Sequence, residues 1–173
     1  RDLRLAELTA GRYHAAHVSP RGAGEAIRRA KAKGLDVTSD TAPHYFALNE
    51  TSVGDYRTFA KVSPPLRSED DRKAVVEGLV DGTIDAVASD HTPSNQDSKR
   101  LPFAQAEFGI VGFETLLTLM LEPFHNGEIS LLDALAKITT NPAQILSLNS
   151  GQLKRGAAAD LVLFNACLLY TSD

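Results

Sequence analysis

Two histidines and one aspartate stand where this chain could do chemistry. His17 closes the apolar stretch Tyr13 to Val18. His44 follows Leu35 to Thr41 in Ala42-Pro43-His44, and Asp90 follows Ile84 to Ser89 in Asp90-His91-Thr92-Pro93. Taken singly, a histidine at the end of an apolar run is more often a hydrogen-bonded core group than a ligand. Asp90 shifts that balance, because a carboxylate at the end of an apolar strand is costly to bury unless paired or cation-bound. Two imidazoles and one carboxylate suit zinc or a similar divalent ion. They are too few for a closed structural site, so other ligands or a water must complete the shell. Asp90 can also take a proton from an activated water and hand it to a leaving nitrogen; its bland alternative is a cap for the following loop. His91 and His14 are weaker candidates. Strand alternation sets His14 and His17, three positions apart, on opposite faces, so His14 reads as structural. His125, before Asn126-Gly127, reads as exposed.

The elements that must position these groups alternate between strand-like and helix-like, the pattern of parallel α/β structure. The chain opens in a helix (Leu3, Leu5, Ala6, Leu8). Residues 13–18 read as a buried strand, and Ala23, Ala26, Ile27 and Ala30 then repeat at helical spacing up to Gly34. Residues 35–41 read as a second strand and 59–62 as a third, ended by Pro64-Pro65. Ser68 is the expected N-cap of a helix carrying Val75, Val76, Leu79 and Val80, with Asp71 three residues on. Residues 84–89 read as a fourth strand. Residues 95–112 form a long polar loop, and a loop of that length is usually functional or disordered. Helices are expected over 113–125 and 131–139, with a further turn at 143–148, before an apolar strand at 161–164.

Three of the four expected strands end in His, His and Asp. Catalytic groups collect at that end of the strands in a (β/α)₈ barrel. A doubly wound sheet also binds ligands there, but no G-x-G-x-x-G turn follows a strand here. A complete barrel needs roughly 250 residues and eight strands. The expected fold is therefore α/β, the C-terminal half of such a barrel over residues 1–148. Residues 149–165 are expected to form a segment of a small β-sandwich, and 166–173 read as a non-native tail.

Composition excludes some classes. Hydrophobic residues make up 43% and charged residues 23% of the 173, as in an ordinary globular domain. The net charge of −4 and the scatter of Lys and Arg give no nucleic-acid footprint. No apolar run approaches the roughly 20 residues of a membrane helix. The single cysteine, Cys167, excludes an internal disulfide and suits a reducing, cytoplasmic setting.

A resemblance joins these residues. Tyr13-His14-Ala15-Ala16-His17-Val18-Ser19, Thr41-Ala42-Pro43-His44-Tyr45, Lys61-Val62-Ser63-Pro64-Pro65-Leu66-Arg67 and Asp85-Ala86-Val87-Ala88-Ser89-Asp90-His91-Thr92-Pro93 stand in the order seen in the cyclic amidohydrolases. The set resembles the dihydroorotases most. Lys99-Arg100-Leu101-Pro102-Phe103 and Gly109-Ile110-Val111-Gly112-Phe113-Glu114-Thr115 favour them over hydantoinases and allantoinases. Gly151 to Phe164 is similar to the return strand of that family's small β-sandwich domain.

The resemblance implies a barrel with one or two zinc ions. His17 then matches the metal ligand after the fifth strand and His44 the one after the sixth. Asp90 matches the eighth-strand aspartate that ligates metal and shuttles the proton. Gly109 to Gly112 matches backbone that approaches a pyrimidine ring. The implied reaction interconverts N-carbamoyl-L-aspartate and L-dihydroorotate in pyrimidine synthesis, and the implied partners are a second copy or aspartate transcarbamoylase.

There are departures. The family's His-x-His pair and fourth-strand bridging ligand are absent from this chain. Ser63 stands where many members have Asn, and Ser94 where many have a His that helps hold the substrate carboxylate. Both Ser63 and Ser94 bear on the substrate rather than on the metal. A hydantoin- or allantoin-cleaving relative is the second reading, and a noncatalytic partner of aspartate transcarbamoylase the third. This segment by itself is expected to be inactive, since half a barrel leaves open sheet edges.

Overall fold

The structure is a computed structural model and describes residues 1–167. Three parallel strands form its centre, in the spatial order of their sequence: β1 (Tyr13–Ala15), β2 (Val37–Thr41) and β3 (Ala86–Val87). Tyr13 pairs with Val37 and Asp40 with Ala86. Backbone bonds carry the ladder beyond the strand ends, from Val18 N–H to the Asp40 carbonyl at 2.8 Å and from Ala88 N–H to Thr41 at 2.9 Å. The strand ends that bear His17, His44 and Asp90 are thus tied to one another.

Helices cover one face. α1 (Asp2–Thr9) precedes β1, α2 (Arg21–Ala32) connects β1 to β2, and the connection from β2 to β3 contains α3 (Pro43–Ala47) and α4 (Glu69–Val80). α2 buries Ile27 and Ala30, one helical turn apart, and α4 buries Val75 and Leu79. These pack with Val18, Val37, Ile84, Val87 and Met120 into one core. Each large aliphatic side chain buried there stabilises the fold by about 1.5–3 kcal/mol. Ser68 caps α4 as expected, accepting the Asp71 N–H at 3.2 Å. Beyond β3 lie α5 (Gln96–Lys99), α6 (Leu116–Met120), α7 (Glu122–His125), α8 (Leu131–Ala136) and α9 (Thr140–Ile145). Lys137, just after α8, donates through Nζ to the Ile84 carbonyl at 2.7 Å, closing this helical layer against β3. No described helix is long and apolar enough to cross a membrane.

Two expected strands are not found. Residues 59–62 begin in a 3₁₀ turn, Thr58–Ala60, and pair with no strand. Their apolar character serves a small second core instead, where Val62 packs with Ala42, Tyr45 and Leu66. Residues 161–164 are exposed and form no strand. The tail expected at 166–173 lies outside the described residues from 168 onward.

Candidate metal and catalytic site

His17, His44 and Asp90 converge at the C-terminal ends of the strands. His17 Nε2 lies 3.7 Å from Asp90 Oδ1, and His44 Nε2 lies 3.4 Å from Asp90 Oδ2. Local structure presents each group. His17 and Asp90 both have left-handed backbones, with φ of 54° and 47°. Such values are uncommon outside glycine, cost free energy and cluster at functional sites. His44 is near the start of α3, whose first residue is Pro43. Its side chain is 5% exposed, with its ring 4.2 Å from that of Tyr45. The Tyr45 hydroxyl donates to the Pro64 carbonyl at 2.8 Å, which anchors the Ser63-Pro64-Pro65 turn beside the site.

Burial, against the attraction of Asp90, pushes the His44 pKa down to about 4. Its imidazole is therefore neutral at physiological pH, with a lone pair available. His17 moves the other way. The Asp40 carboxylate beside its ring raises it against the lowering effect of burial, and Asp90 adds to the rise.

Asp40 is the residue of this cluster that the motifs missed. Strand register sets His14 beside Thr38, and alternation along β2 puts Asp40 on the same face as Thr38. His14 Nδ1 meets Thr38 Oγ1 at 2.7 Å, and its Nε2 meets Asp40 Oδ2 at 2.8 Å. Asp40 Oδ1 accepts the His17 backbone N–H at 2.8 Å and lies 3.3 Å from His17 Nδ1. Burial alone lifts the Asp40 pKa, but the bonds from His17 and His14 outweigh it and leave the carboxyl below its usual range. The expectation that His14 and His17 face apart is therefore corrected. β1 ends at Ala15, so alternation does not reach His17, and both rings meet one carboxylate. An acidic residue inside a buried strand, four positions before His44, was the available signal.

Two nitrogens, His17 Nδ1 and His44 Nε2, are buried without a hydrogen-bond partner. The Asp40 approach to His17 Nδ1 is close but not aligned as a hydrogen bond. His17 Nε2 and the orphaned His44 Nε2, set against the two oxygens of Asp90, are a donor set that fits a divalent cation. Among the described residues, no three His, Cys, Asp or Glu side chains are grouped tightly enough to hold one by themselves. The donor chemistry fits, and the ligand set is incomplete.

The remaining candidates surround this centre unequally. Gly112 is pressed against the Asp90 strand end: a Cβ there would stand 2.2 Å from the Ser89 carbonyl oxygen. Gly109, at φ 120°, would meet the Thr92 oxygen at the same distance. His91 serves this loop rather than the cation centre. Its Nδ1 accepts the N–H groups of Gly112 at 3.1 Å and Phe113 at 3.4 Å, and its ring stacks on Phe113 at 4.0 Å. Ser94 donates to the Phe108 carbonyl at 3.3 Å, so its hydroxyl is engaged with the loop. Ser63 is exposed, as is His125 at the end of α7.

The chain is similar to known proteins. The family model described as "Amidohydrolase family" matches residues 3–172. The dihydroorotase of Syntrophotalea carbinolica is 49% identical over 173 residues, a match covering 100% of this chain and 41% of that protein. That of Geobacter metallireducens is 48% identical, with 41% of its length covered. The chain thus spans about two-fifths of the curated relatives it matches. Among solved structures, dihydropyrimidinase from Brevibacillus agri superposes with a TM-score of 0.85 at 27% identity, covering 91% of this chain and 36% of that one. L-hydantoinase from Arthrobacter aurescens matches with a TM-score of 0.85 at 28% identity.

Proposed function

Because the chain belongs to the amidohydrolase family, we propose that the full-length protein is a zinc-dependent dihydroorotase, interconverting L-dihydroorotate and N-carbamoyl-L-aspartate. The observation that carries the reading is the convergence of His17 Nε2 and the buried, unpartnered His44 Nε2 on the two oxygens of Asp90. Relatives named dihydroorotase, 48–49% identical over the whole chain, support the choice of substrate.

His17, His44 and Asp90 would hold one or two zinc ions together with ligands from outside this segment. When bound, zinc polarises the ring carbonyl and makes water nucleophilic at neutral pH. The neutral imidazole of His44 offers its Nε2 lone pair. In ring opening, water attacks the ring amide carbon and the carbon–nitrogen bond breaks. Asp90 accepts the proton that the water loses and delivers it to the departing nitrogen. Ring closure runs the same steps backwards. The backbone at Gly109 and Gly112 forms the wall nearest Asp90, where the absence of side chains lets a flat ring approach. Ser63 and Ser94 border the substrate side, and the Ser94 hydroxyl acts through the loop it holds.

A hydantoin-cleaving activity is the second reading. Ser63 favours it, together with the likeness to the dihydropyrimidinase and hydantoinase structures. Sequence identity to those structures, 27–28%, is far below that to the dihydroorotases. A cytoplasmic location, pairing as a homodimer or with aspartate transcarbamoylase, inactivity of this segment alone and the 148/149 domain boundary belong to the same proposal.

Chelation of the full-length protein tests the cation part. Dihydroorotate ring opening should vanish on exhaustive chelation and return with zinc. Activity that survives chelation contradicts it.

A further inference from the structure

Two lysines are buried beside the site. Lys99 is 3% exposed and Lys61 is 9% exposed, and among the described residues neither is paired with a carboxylate. A buried ammonium is costly unless its donors are satisfied. Each has three N–H donors, and each finds three backbone carbonyls. Lys61 Nζ donates to Phe103 at 2.7 Å, Ala104 at 3.3 Å and Ala106 at 2.6 Å. Lys99 Nζ donates to Thr58 at 3.1 Å, Glu107 at 2.9 Å and Gly109 at 2.6 Å. The Lys61 ammonium also stands 4.6 Å from the centre of the Phe108 ring, within cation–π range. Burial and the neighbouring Lys61 charge push the Lys99 pKa below its ordinary value.

The two lysines meet at Gly109. Its N–H donates to the Lys61 carbonyl at 2.9 Å, while its own carbonyl accepts from the Lys99 ammonium. The gripped glycine packs directly on Thr92. From there the contacts run to the cation centre: Thr92 N–H donates to the Ile110 carbonyl at 2.9 Å, and Gly112 N–H to His91. The segment has few backbone bonds of its own, chiefly Gln105 and Ala106 N–H to Pro102 and Glu107 N–H to Ser98. Its shape is therefore set largely by five charge-assisted bonds from two side chains, three from Lys61 and two from Lys99. Such bonds are about twice as strong as neutral ones.

We propose that Lys61 and Lys99 are positioning residues: a double-lysine clasp in which the Lys99 ammonium holds Gly109 and the Lys61 ammonium holds the 103–106 backbone leading to it, so that the Gly109–Gly112 backbone is fixed against Asp90-His91-Thr92 and sets the substrate wall of the pocket. The inference rests on the reading of that backbone as substrate-contacting. It assigns a role to the Lys61 and Lys99 motifs that the metal chemistry leaves unused.

The test uses the full-length protein with Lys99→Met and Lys61→Met, which keep the apolar stem and remove the ammonium. A displaced wall weakens substrate positioning while the cation centre stays intact. The expected result is KM for dihydroorotate raised about tenfold, with kcat within about threefold. Bound zinc should be unchanged, and amide exchange across 103–113 faster. Lys33→Met, which removes a surface pairing with Glu7 on α1, should change none of these. If Lys99→Met does not fold, Lys99→Gln, which keeps two donors, carries the same comparison. Faster exchange with an unchanged KM overturns the positioning role, and unchanged exchange overturns the clasp itself. A parent protein that binds zinc but does not turn over dihydroorotate overturns the functional reading, and this inference with it.

Discussion

The Asp40 carboxylate accepts the backbone N–H of His17 at 2.8 Å, at a point where the His17 backbone is left-handed. One buried carboxylate therefore stabilises an unfavourable backbone and draws in two imidazoles, those of His14 and His17. Asp40→Ala leaves that N–H and the His14 ring without their acceptor. An unsatisfied buried donor costs about 1–3 kcal/mol. Denaturant unfolding of the full-length protein should show a loss of that size, with zinc affinity lowered about tenfold or more. A variant within about 0.5 kcal/mol of the parent, as for an ordinary surface change, contradicts this.

Asp90 has a different signature. Asp90→Asn keeps the shape of the side chain but removes the base. Turnover should fall by at least about 10²-fold, the lower range for general acid–base catalysis. Circular dichroism should remain that of a folded protein. Substantial residual turnover refutes the proton-shuttle role.

Two glycines should respond in opposite directions. At Gly112 an added Cβ would stand 2.2 Å from the Ser89 backbone oxygen, next to Asp90. Gly112→Ala should therefore destabilise by about 1–3 kcal/mol, as overpacking does, and lower kcat/KM. Gly24 lies within α2, and a methyl group added there would meet nothing within 4 Å. Gly24→Ala should stabilise by up to about 1 kcal/mol through helix propensity. Thermal unfolding of the two variants checks both signs.

Acid should unfasten the start of α4. Bonds from Arg72, then from Asn49, hold Glu69 at about 2, against an ordinary 4.5. A depressed carboxyl adds stability that is fully present above its unfolded value and is lost as pH falls through the folded one. The contribution of Glu69 should therefore fade between about pH 4.5 and pH 2. Glu69→Gln should flatten the fall in unfolding midpoint over that window, and an unchanged slope contradicts the assignment.

How much of the molecule was legible in its sequence depended on which physical signal was local. The strands around residues 13–15, 37–41 and 86–87 were readable from short apolar runs, and the Ser68 cap from its spacing to Asp71. The convergence of His17, His44 and Asp90 followed from their shared position after those runs. Residues 59–62 misled because an apolar run looks the same whether it joins a sheet or fills a loop core, and Val62 does the latter. Asp40 and His14 were hidden by tertiary register, since alternation fails past Ala15. The lysine clasp was least visible of all. Lysine in a sequence reads as solvent-facing, and the carbonyls that satisfy Lys61 lie 42 to 45 positions away.

The most direct measurement is steady-state hydrolysis by the full-length protein, assayed side by side on L-dihydroorotate, hydantoin and allantoin. The metal-assisted dihydroorotase account predicts turnover of dihydroorotate well above the other two, reversed to ring closure when N-carbamoyl-L-aspartate is supplied. Turnover of hydantoin or allantoin alone contradicts it.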